Sequence, residues 1–70
     1  MCGIIGINSS KPVSSTIINS LKKLEYRGYD SAGIATLYSG LINEVKSEGR
    51  VDNLEKNSLV KNMEGTIGIG

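Results

Sequence analysis

Two Ile–Gly runs bracket this chain of 70 residues, Gly3-Ile4-Ile5-Gly6-Ile7 near its start and Gly65-Thr66-Ile67-Gly68-Ile69-Gly70 at its end. β-Branched side chains favour an extended backbone. Each run puts apolar groups on both faces of such a strand, so each reads as buried rather than as an exposed edge. Cover on both faces is hard to supply from within so short a chain. Hydrophobic residues make up 39% of it, without Phe or Trp and with three Tyr, and its single Cys excludes an internal disulfide. The last run stops without a turn or polar tail, so we expect the chain to be the front part of a longer one.

Between the two runs the pattern alternates. Asn8-Ser9-Ser10-Lys11-Pro12 is turn and cap chemistry, with Ser10 a candidate N-cap and Pro12 suited to a first helical turn. Val13, Ile17, Leu21 and Leu24, with Ile18 beside them, form the apolar stripe of a helix of about three turns. Lys22 and Lys23 fall in its last turn, where cations complement the helix dipole, and Gly28 is placed to end it in a left-handed conformation.

Arg27-Gly28-Tyr29-Asp30-Ser31-Ala32-Gly33 reads as an ordered loop, in which Arg27 and Asp30 are near enough to pair. Such a pair is of little net value if exposed; the loop could equally shape a pocket beside the first strand. Ile34–Tyr38 and Leu41–Glu48 read as a hairpin around Ser39-Gly40, the second strand lying nearer an edge. A second helix is predicted from Val51 or Asp52 to about Asn62, with Asp52 as N-cap and Leu54, Leu59 and Met63 buried. The order is β-α-β-β-α-β, without a repeat or a linker that would divide two domains.

Composition excludes several functions. A net charge of +1 supplies no basic stripe for nucleic acid. No apolar run approaches the ~18 residues of a membrane span, and no signal peptide is visible. One unpaired Cys fits a reducing, cytoplasmic setting. With one Cys and no His, no metal site is expected, and the spaced glycines near the end lack the Lys-Ser/Thr of a phosphate loop. The Asp and Glu residues are scattered on polar segments and read as solvated.

The candidate nucleophile is Cys2. An initiator Met before a small residue is normally trimmed, which would give Cys2 both a thiol and a free α-amine. Ordinary pKa values of about 8.5 and 7.7–8.0 suit a nucleophile and a base at neutral pH. Because the chain holds no His, a Cys–His pair is unavailable within it and the α-amine is the base at hand. The alternative is a Cys that only packs as a small hydrophobe.

The Met1-Cys2-Gly3-Ile4 start, taken with Leu24-Glu25-Tyr26-Arg27-Gly28-Tyr29-Asp30-Ser31-Ala32-Gly33-Ile34-Ala35, resembles the class II glutamine amidotransferases. These are N-terminal-nucleophile hydrolases that open with Cys-Gly-Ile and carry an Arg-Gly-x-Asp loop after the first helix. Tyr26 and Tyr29 resemble the hexosamine branch of that family, rather than the phosphoribosyl-pyrophosphate branch with its His-Arg-Gly-Gln-Asp form. The resemblance spans the whole chain.

The resemblance implies an α+β fold, part of a four-layer αββα sandwich, with residues 1–70 as the N-terminal piece of a glutaminase domain. It implies that Cys2 attacks the glutamine carboxamide, with Arg27 and Gly28 as supporting residues and no cofactor. Ammonia would pass to fructose 6-phosphate in a sugar-phosphate isomerase part lying outside these residues, within a homo-oligomeric parent. The family's glutamine-gripping and oxyanion residues lie beyond the position of Gly70, so the 70 residues alone are expected to be inactive.

Overall fold

The computed structural model describes residues 3–28 and 30–70, with only the backbone of Arg27. In chain order the elements are β1 (Gly6–Asn8), α1 (Ser14–Leu24), a 3₁₀ turn (Glu25–Arg27), β2 (Ser31–Tyr38), β3 (Leu41–Glu48), α2 (Val51–Glu55), α3 (Ser58–Lys61) and β4 (Ile67–Ile69). The strands form an antiparallel sheet in the order β1-β4-β2-β3. The predicted mixed order holds, with the second helix divided in two.

Helices cover one face of the sheet. Val13, Ile17, Ile18 and Leu21 from the predicted stripe are buried, and they share a core with Ile34, Val45, Val51, Leu54 and Val60. Ile34 pairs with Val45 and Thr36 with Gly68, so all four residues face the helices. The buried Thr36 hydroxyl donates to the Glu64 carbonyl at 2.7 Å, which satisfies its polar group. At Gly68 the helix comes too close for a side chain: a Cβ would lie 2.8 Å from Ile17 Cδ1 and 3.0 Å from the Ala35 carbonyl oxygen.

The opposite face is open. Leu37 pairs with Ile42 and Ile67, and Ala35 with Ile69, which brings four large apolar side chains to one surface. Leu37, Ile67, Ile69 and Ile42 are 43%, 46%, 57% and 76% exposed. No described element covers them.

Several expectations are corrected. β1 is an edge strand paired only with β4 among the described residues, and Ile4 is exposed rather than buried. Helix α1 starts after Val13, not Ser10. The buried Val13 donates its N–H to the Gly65 carbonyl at 3.1 Å, so tertiary packing sets the start rather than a capping side chain. β2 begins at Ser31, three residues earlier than predicted, because pairing with β3 continues to Ser31 opposite Glu48.

The predicted second helix breaks at Lys56 and Asn57. Asp52 lies inside α2, whose N-cap is Arg50, whereas Asn57 caps α3 by accepting the Leu59 N–H at 2.9 Å. The new start rotates the buried face: Val60 enters the core and Leu59 turns outward, 67% exposed. β3 does lie at an edge, and Ser39 and Gly40 both take positive φ, 52° and 77°, as a primed hairpin turn requires.

Candidate functional site

Four separated segments meet at one cleft. Its volume is about 300 Å³, and Gly3, Leu24, Glu25, Gly28, Asp30, Val51 and Gly70 are among the residues that line it. Gly3 comes from the segment leading into β1, and Gly70 from the end of β4. The two are held together because Ile5 and Gly70 exchange both backbone hydrogen bonds, at 3.0 and 2.8 Å. Glu25 and Gly28 come from the 3₁₀ turn and its exit, and Val51 from the first residue of α2.

Cys2 lies outside the described residues, as do Tyr29 and the side chain of Arg27, so the Arg27–Asp30 pairing does too. Gly3, the next residue after Cys2 in sequence, lines the cleft beside Leu24; a Cβ on Gly3 would fall 2.8 Å from Leu24 Cδ1. The wall here is therefore close-packed against the end of α1.

Gly28 is brought to the same cleft. It ends the helical run as expected, but with φ 110° and ψ 165° rather than the left-handed helical pair. Its N–H donates to the Glu25 carbonyl at 2.9 Å, closing the 3₁₀ turn. Side chains rarely adopt that φ, so glycine is required there by the backbone and not by crowding, since a Cβ would have nothing within 4 Å.

Glu25 overturns the expectation that the carboxylates are simply solvated. Its side chain is 14% exposed, and Oε2 accepts the Val51 N–H at 2.7 Å. The opening turn of α2 leaves N–H groups without helical partners, and the Arg50 side chain makes no capping bond to them. Glu25 supplies that acceptor from 26 positions away in the chain. Arg50 Nη1, on a side chain that is itself largely exposed, stands 3.9 Å from Glu25 Oε1, a longer-range attraction. The separation is what hid this role, because no local pattern joins a carboxylate to a helix start so distant.

A second ionic cluster fixes the neighbouring helices. Lys22 Nζ lies 2.6 Å from Glu55 Oε1 and 3.5 Å from Asp52 Oδ1, tying α1 to α2. Its hydrogen bond to Glu55 raises the ammonium pKa above the ordinary lysine value. Among the described residues no group of three or more His, Cys, Asp or Glu could hold a metal ion, and no helix is long and apolar enough to cross a membrane.

No protein-family model matches the chain. Its sequence is nevertheless similar, over its full length, to the N-terminal part of a class of nitrogen-transferring enzymes, the aminotransferases. The relatives are glutamine–fructose-6-phosphate aminotransferases (isomerizing). The chain is 50% identical over 70 residues to that of Bradyrhizobium diazoefficiens, 51% over 70 residues to that of Brucella abortus and 49% over 69 residues to that of Rhizobium meliloti. It spans only 12%, 12% and 11% of those proteins' lengths.

Proposed function

We propose that these 70 residues are the N-terminal part of the glutaminase domain of a glutamine–fructose-6-phosphate aminotransferase. The observation that carries the reading is the similarity of about 50% over the whole chain to the N-terminal part of such enzymes. The shared cleft adds support, since Gly3 from the nucleophile segment and Gly28 from the Arg-Gly-x-Asp loop line it together.

In this reading Met1 is removed and Cys2 becomes the first residue. Its sulfur attacks the glutamine side-chain carbonyl carbon while the α-amine takes up and returns the thiol proton. Collapse of the tetrahedral intermediate breaks the C–N bond, releases ammonia and leaves a γ-glutamyl thioester. Water then cleaves the thioester to glutamate and restores the thiol. Ammonia aminates fructose 6-phosphate in a separate isomerase part, giving glucosamine 6-phosphate. Arg27 and Gly28 support the cleft wall beside the nucleophile.

The open sheet face fits the same reading. Leu37, Ile42, Ile67 and Ile69 would pack against a second sheet from the remainder of the enzyme, completing a four-layer αββα sandwich. The glutamine-gripping and oxyanion groups would come from that remainder, so the 70 residues alone release no glutamate above background.

The test is Cys2→Ala in a full-length enzyme carrying these residues. Glutamine-dependent glutamate release falls on the order of 10⁴-fold or more, while synthesis supplied with free ammonia persists. Intact mass shows Met1 absent. Undiminished glutamine hydrolysis by Cys2→Ala overturns the reading.

A further inference from the structure

Glu25 touches two of the cleft's walls at once. Its carbonyl oxygen accepts the Gly28 N–H at 2.9 Å, and its carboxylate accepts the Val51 N–H at 2.7 Å. The first bond shapes the loop that holds Arg27 and Gly28, and the second fastens that loop to the start of α2. Gly28 and Val51 line the cleft with Gly3. Nothing in the Cys2 chemistry uses this carboxylate. At 14% exposure it is largely withdrawn from water, and the hydrogen bond to Val51 offsets the cost of that burial.

We propose that Glu25 is a positioning residue for the glutamine cleft: by capping α2 from across the chain it holds the Arg27-Gly28 loop at the distance from Gly3 that a bound glutamine requires. The proposal rests on the glutaminase reading above. In this role Glu25 acts through the backbone of the loop. The bond to Val51 requires a hydrogen-bond acceptor at this reach, which a Gln side chain also supplies, while the Arg50 guanidinium 3.9 Å from Oε1 adds an attraction that only the carboxylate has.

The experiment uses the full-length enzyme with two labelling reagents for Cys2, a chloroketone shaped like glutamine and iodoacetamide, which needs no shaped cleft. In Glu25→Ala the glutamine-shaped reagent reacts about tenfold more slowly, the scale of loss expected from a misplaced wall. Labelling by iodoacetamide and ammonia-supplied synthesis stay near wild type. Glu25→Gln keeps an acceptor at the same reach and restores chloroketone labelling to within about threefold.

Unchanged chloroketone labelling in Glu25→Ala overturns the proposal. So does equal slowing of both reagents, which marks general disruption, and so does a Gln variant as impaired as Ala. A wild-type Cys2 that shows no preference for the glutamine-shaped reagent overturns the glutaminase reading itself, a result distinct from the other three.

Discussion

Gly68 sits where helix α1 crosses the central strand β4, and the space it leaves is occupied from two sides. A Cβ would meet Ile17 Cδ1 at 2.8 Å, the Ala35 carbonyl oxygen at 3.0 Å and Thr36 Cγ2 at 3.1 Å. The Ile17 methyl can rotate or shift; the Ala35 oxygen belongs to the sheet backbone and cannot. Gly68→Ala is therefore expected to destabilise by about 1–3 kcal/mol in urea unfolding. Adding Ile17→Val, which removes the crowding methyl, should recover only part of that loss, because the backbone contact remains. Full recovery would show that the side chain alone sets the limit. The glycine itself was visible in the sequence, in a run of spaced glycines, but its reason was not. The stripe containing Ile17 and the strand containing Gly68 are each local patterns; their approach is a tertiary distance.

At the scale of elements, α1 is the part most fully readable from sequence. Its stripe Val13, Ile17, Ile18 and Leu21 became the core face as the 3.6-residue period requires. The segment after β3 behaved differently, because Asn57 offered a side-chain cap to Leu59 that competes with continuation of α2. What then fastens α2 is burial of Val51 and Leu54 in the shared core, supplemented by the long-range ion pairs of Lys22 with Glu55 and Asp52.

Lys22 is raised above its ordinary 10.5, first by hydrogen bonding to Glu55, and Tyr38 above its ordinary 10.0, first by hydrogen bonding to Glu64. Both shifts favour the protonated form in the folded chain. Their stabilisation is thus complete below about pH 10 and is lost as pH rises through the raised folded values. Melting temperatures measured from about pH 9 to about pH 12 should decline, and the decline should be shallower in Lys22→Met with Tyr38→Phe. An identical slope in the double variant would remove these groups as its source.

Among the described residues the molecule is a sheet with one face covered by helices and one face that no element covers. Leu37, Ile42, Ile67 and Ile69 form a contiguous apolar surface, flanked by β1 and β3 as edge strands. Such a surface promotes association unless something covers it. The 70-residue chain on its own is expected to bind hydrophobic dye and to sediment with concentration-dependent mass. Ile42→Lys, at a position 76% exposed, should reduce both effects while changing stability by no more than about 0.5 kcal/mol. A chain that stays monomeric and binds no dye would show that the face is not sticky.

What the sequence by itself determined is whatever depends on near neighbours. The α1 stripe, the Ser39-Gly40 hairpin, the polar pattern of strand β3 and the positive φ at Gly28 are all set within a few residues. Tertiary structure alone decided which Ile–Gly strand became central and which became an edge, where α1 begins, and that Glu25 caps a helix 26 residues away. The physical reason is common to all three. Hydrogen bonds and close contacts between distant segments carry no periodicity along the chain, so they exist only once packing has brought those segments together.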